Sequence, residues 1–128
     1  MGERGGAGAN RLMLTRAQLW PNIRNLDGRE LKTLVYGHPF EVAVNGEAGV
    51  TLSPAVSGKP RVIGRETLEE AFGALYHRRE LTGTEIAEEF SAFNAAYVAA
   101  LLAALPDVAV CQKPVRLIFV GRQLFYLE

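Results

Sequence analysis

The residues that could do chemistry are few and scattered. The chain of 128 residues holds two histidines, one cysteine, fourteen carboxylates and fourteen lysines and arginines. His38 precedes a proline and His77 precedes Arg78, and neither has a carboxylate or cysteine at metal-ligand spacing. Cys111 lies among apolar residues without a nucleophile signature, so a buried core thiol is expected. Glu30-Leu31-Lys32 has the E-x-K spacing that metal-dependent phosphodiester cleavage uses, but three such common residues carry almost no information. No glycine-rich loop opens a helix with Lys-Ser or Lys-Thr, so phosphate cradling by a P-loop is not encoded. The expectation is a non-enzymatic protein with no catalytic residue, no metal and no cofactor.

Binding chemistry is the remaining prospect. Equal numbers of acidic and basic residues give no net charge to attract nucleic acid, so any such affinity must come from local distribution. Ser91, Asn94 and Tyr97 open a helix whose N-terminus would favour an anion, and their side chains could meet a phosphate, sugar or base edge. Equally, Ser91 and Asn94 could serve only as caps, with Tyr97 packed on the domain. Arg78, Arg79, Lys113, Arg116 and Arg122 form a candidate basic rim for phosphates, each contact adding a salt-dependent share of affinity. The alternative is that Arg78 and Arg79 complement a helix C-terminus while the others are solvated. Glu85, Glu88 and Glu89 would repel a phosphate backbone unless they face away.

The elements that position these residues follow from pattern. Residues 1–12 are Gly-rich without hydrophobic period and read as a disordered leader. Thr15 with Gln18 reads as a capping box, with Leu14 and Leu19 as its staple, opening a helix that Asp27-Gly28 ends. Residues 30–36 predict a strand; Phe40, Val42 and Val44 alternate with Glu41 and Ala43; Asn45-Gly46 predicts the turn into a return strand over 49–52. A further short strand is expected at 61–63.

Helical signals come next. Leu68, Ala71, Phe72, Leu75 and Tyr76 form one apolar stripe over residues 66–80. Thr82 and Glu85 form a second capping box for a short helix. A third helix runs from Ser91 or Asn94 to a stop at Pro106-Asp107, with Val98, Leu101, Leu102 and Leu105 on its core face. Its six alanines at 95, 96, 99, 100, 103 and 104 give a smooth surface suited to a homodimer or protein partner, or to tight packing inside its own domain. A short strand is expected at 108–111, then a hairpin of 115–120 and 123–127 around Gly121-Arg122.

The segment from about Arg65 to Leu127, carrying ELTGTEIAEEF, FNAAYVAALLAALP and the terminal hairpin signal, resembles the winged helix-turn-helix superfamily. It also resembles small helix-turn-helix modules of prokaryotic restriction and phage-defence proteins, in which a short β-rich segment may precede the helices, as residues 30–63 do here. The first resemblance implies double-stranded DNA as partner, read through the helix starting near Asn94, with Gly121-Arg122 as wing. In place of the polar and basic residues usual in such helices, this one shows mainly Ala, Leu, Val and one Tyr. The expected fold is α+β: a disordered leader at 1–12, a helix plus small β-sheet over 13–64, and a winged helix-turn-helix over 65–128. DNA and a protein partner both stand as readings. No membrane span is encoded, and a cytoplasmic location is expected.

Overall fold

The computed structural model describes residues 15–121. The chain is α+β, with two antiparallel sheets and helices packed between and beside them. A 3-10 turn at Arg16–Gln18 leads into α1 (Leu19–Arg24). Pro21 is the third helical residue, where no intrahelical N–H bond is due, so it is accommodated without a break. The capping box expected there does not cap α1: Gln18 stands at its N-cap position without a side-chain cap bond. Leu14 and the leader lie outside the described residues.

The first sheet is a meander of β1 (Glu30–Lys32), β2 (Pro39–Val44), β3 (Gly49–Pro54) and β4 (Arg61–Gly64), in that spatial order. The alternation of β2 is realised: Phe40 and Val42 are buried and Glu41 and Ala43 exposed. β2 joins β3 through the Asn45-Gly46 turn, where Gly46 takes φ 59°. At Gly49 the requirement for glycine is steric, because a Cβ would collide with the Ile63 carbonyl of β4, and φ is +153°. β1 stops at Lys32, shorter than its pattern suggested, because residues 33–38 fold back on themselves.

The long helix α2 (Arg65–Arg78) buries the whole predicted stripe: Leu68, Ala71, Phe72, Leu75 and Tyr76. Arg79 then turns left-handed at φ 71° and ends it. A strand absent from the sequence reading follows, β5 (Glu80–Thr82). Next come α3 (Gly83–Glu89) and α4 (Ala95–Ala103), then β6 (Val108–Cys111) and β7 (Arg116–Phe119). The second sheet has the order β5-β7-β6. The capping box at α3 is complete: Thr82 Oγ1 accepts from the Glu85 N–H at 3.0 Å, and Glu85 Oε1 accepts from the Thr82 N–H at 2.9 Å.

β7 is the central strand, paired with β6 through the turn Gln112–Val115 on one side and with β5 on the other. Arg122 and the expected return strand lie outside the described residues. One hydrophobic cluster joins both sheets. Tyr76 and Phe72 pack edge-on against Phe119 with ring centroids 5.1 and 6.1 Å away, and Phe40 of β2 meets Tyr97 of α4 edge-on at 5.1 Å.

Candidate interaction surface

The alanine-rich helix decides which surface is available. Val98 through Leu102 are all buried, Ala95, Tyr97 and Ala103 are half-buried, and only Ala96 is fully exposed. Of the two roles expected for its alanine surface, tight packing inside the domain accounts for most of it. Elements from both sheets enclose α4, and Ala99 and Ala100 are core residues. Small side chains let those elements approach closely.

One strip of α4 remains open. Ala95, Ala96 and Ala99 form one wall of an apolar cavity of about 190 Å³. Leu34, Val35 and Tyr36, from the loop between β1 and β2, form the other wall, and Gly83 and Val115 lie at its margin. That loop is held by a bracket at its base. The Thr33 N–H donates to the His38 carbonyl at 3.0 Å, the Gly37 N–H donates to the Thr33 carbonyl at 3.0 Å, and the His38 N–H donates to Thr33 Oγ1 at 2.9 Å. Thr33 is the one buried polar residue in the described core. Its hydroxyl is thus occupied, and the cavity stays apolar. Gln112 of the hairpin turn donates from Nε2 to the Leu34 carbonyl at 2.7 Å and ties the loop to the second sheet.

The bracket pushes the loop tip into solvent. Val35 is 67% and Tyr36 79% exposed, and the Tyr36 ring stacks on His38 at 5.7 Å. Phe93, just before α4, is 80% exposed and carries the Arg61 guanidinium over its ring at 4.6 Å. An apolar cavity lined in part by the exposed Val35 and Tyr36 can hold an apolar side chain; its lining carries no charged residue.

The structure gathers the expected DNA-facing residues in part. Ser91 Oγ accepts from the Asn94 N–H at 3.1 Å, while Asn94 Oδ1 accepts from the Arg61 guanidinium at 3.0 Å. Arg61 also lies over the Tyr97 ring at 5.1 Å. Ser91, Asn94 and Tyr97 are thus together, but facing β4 through Arg61, a residue the sequence reading overlooked. Arg78 grips Glu89 with two bonds of 2.8 and 3.2 Å, which raise the guanidinium's pKa and lower that of the carboxyl. Arg116 donates to Glu80 at 2.8 Å, and its pKa is raised chiefly by that bond. Arg79 donates to the Gly121 carbonyl at 2.9 Å and covers the Phe119 ring. Lys113 sits exposed on the hairpin turn without an ion pair to any described residue. Of the four described members of the anticipated basic rim, Arg78 and Arg116 are thus paired with carboxylates, while Arg79 and Lys113 are not.

Cys111 is half-buried on the edge strand β6, not in the core as expected. Among the described residues no three His, Cys, Asp or Glu side chains are grouped to hold a metal ion, and no helix is long and apolar enough to cross a membrane. Val35, Tyr36 and Phe93 were also missed from sequence; a strand-like run and a helix cap give no sign of which side chains a remote element leaves bare. Comparison with known protein families, curated proteins and solved structures returns no match.

Proposed function

We propose that this chain is a non-enzymatic docking module of winged-helix type that engages a protein partner through the cavity between the Leu34–Tyr36 loop and the Ala95–Ala99 strip of α4. The supporting order is helix, short strand, two helices and a hairpin, α2-β5-α3-α4-β6-β7. The observation that carries the docking reading is the apolar cavity beside the exposed Val35 and Tyr36. Burying such side chains contributes about 1.5–3 kcal/mol each, and a rigid loop loses little entropy on binding. DNA binding ranks second. It is favoured by the exposed Lys113 on the hairpin turn, but Arg78 and Arg116 would first have to leave Glu89 and Glu80.

Affinity capture from cells with wild-type protein, Ala96→Glu and the distant control Val56→Ser tests the reading. Ala96→Glu should release the partner by placing a charge in the cavity, while Val56→Ser should retain it. Capture indifferent to Ala96→Glu, or salt-dependent duplex DNA binding as the only interaction, sinks the docking reading.

A further inference from the structure

We infer that the edge strand β6 is a self-association surface that joins a second copy of this chain edge to edge into one continuous sheet. The inference is independent of the docking cavity. The four sheet edges of the described fold differ in how they are guarded. β1 carries Glu30 and Lys32, β4 carries Arg61 and β5 carries Glu80. Charged side chains on an edge discourage pairing with another chain. β6 reads Val108-Ala-Val-Cys111 and holds no charge, proline or glycine, and its Ala109 and Val110 are exposed.

The ladder fixes which backbone groups of β6 face outward. The Val120 N–H donates to the Asp107 carbonyl at 2.8 Å, so Asp107 and Val120 form a hydrogen-bonded pair. Such pairs alternate along an antiparallel ladder. In the register of β6 on β7, Ala109 with Ile118 and Cys111 with Arg116 therefore bond inward. The N–H and C=O groups of Val108 and Val110 point away from β7, and no described strand pairs with that side. Val110 also marks where the cover of the sheet ends. It lies opposite Leu117, which is fully buried on the same face, yet Val110 itself is 37% exposed.

A second copy matches this edge by symmetry. Two-fold antiparallel pairing that sets Val108 against Val110 of the second copy uses every outward N–H and C=O of β6. Ala109 then meets its own counterpart at the axis. That is a non-hydrogen-bonded position, where Cα atoms approach to about 4.5 Å and a small side chain fits. Val108 and Val110 pack across the seam and extend the apolar face past its present cover. Symmetry would set any charge on this strand close to its like, and the strand has none. The chain's zero net charge adds no long-range repulsion between copies.

Light scattering at concentrations up to about 1 mM reads the association, which should be weak because the seam is short. Ala109→Cys combined with Cys111→Ser should give a disulfide-linked dimer on mild oxidation, because the paired Cα atoms fall within the roughly 4.4–6.8 Å that a disulfide spans. Val56→Cys combined with Cys111→Ser, at an exposed site in the β3–β4 loop, should stay largely monomeric. Val110→Pro removes an N–H that the chain's own sheet leaves unpaired and should weaken association at least about tenfold. Val110→Lys should do the same by setting an ammonium group at the seam of each copy, and it carries the test if circular dichroism shows Val110→Pro unfolded. A chain that stays monomeric across that range, without a crosslink in Ala109→Cys, would overturn the inference. A dimer indifferent to the folded Val110 variants, or one lost with Ala96→Glu, would place the contact elsewhere and also overturn it. A monomer that dimerises only when residues 122–128 are removed would put the chain's own end on this edge and overturn the second copy as its occupant.

Discussion

Replacing Thr33 by valine tests whether the loop bracket shapes the interaction surface. Valine keeps the branched shape and volume of threonine and removes only the hydroxyl. The bond lost is the one from the His38 N–H to Thr33 Oγ1 at 2.9 Å, while the two backbone bonds of the bracket stay. His38 is exposed, so water can reach its freed N–H, and the cost falls near the middle of the usual range, about 1 kcal/mol. For a domain of this size that lowers Tm by roughly 4–6 °C. The same 1 kcal/mol, if it must be restored on binding, weakens a ligand of the cavity about fivefold. Thermal melting gives the first number, and amide exchange at His38 and Gly37 gives the local one. Thr33→Ser retains the hydroxyl and should preserve the exchange protection. An unchanged Tm with unchanged His38 exchange would refute the bracket, as would Thr33→Ser behaving like Thr33→Val.

Three other outcomes are expected. Gly49→Ala should cost about 2–4 kcal/mol, because its Cβ meets the Ile63 carbonyl in a backbone region reserved for glycine, and a lowered urea midpoint at constant slope measures it. Leu101→Ala should cost about 2–5 kcal/mol by leaving a cavity at a fully buried site, and urea unfolding reads it against the milder expectation for a surface helix. Glu89 has its pKa lowered by Arg78, so its ionised form is favoured in the folded state. The stabilising contribution of that pair is present above the ordinary carboxylate pKa and is lost as pH falls through the lowered value. Melting curves of wild type and Glu89→Gln should therefore converge in acid, and a gap that widens on acidification contradicts the pairing.

Local signals were read well where the chemistry is local. Thr82 and Glu85 are three residues apart and satisfy each other's backbone partners, so their box needs no help from the rest of the chain. The α2 stripe and the alternation of β2 report a helix or strand with one buried face, and Asn45-Gly46 tolerates a turn of its own accord. What was not legible is β5, a three-residue strand too short to announce itself, which pairs with β7 across a gap of more than thirty residues.

The same division holds for the surface. Sequence by itself determined the mixed helix and strand content, most element positions and the thin catalytic inventory. It also showed an unusually smooth final helix, but it had no means of saying which faces would be covered. Tertiary structure decided that by bringing both sheets onto α4, leaving one alanine strip open beside Val35 and Tyr36. It also paired Arg78 with Glu89 and Arg116 with Glu80. Burial and ion pairing depend on contacts between residues far apart in the chain, and no spacing along the sequence encodes those distances directly.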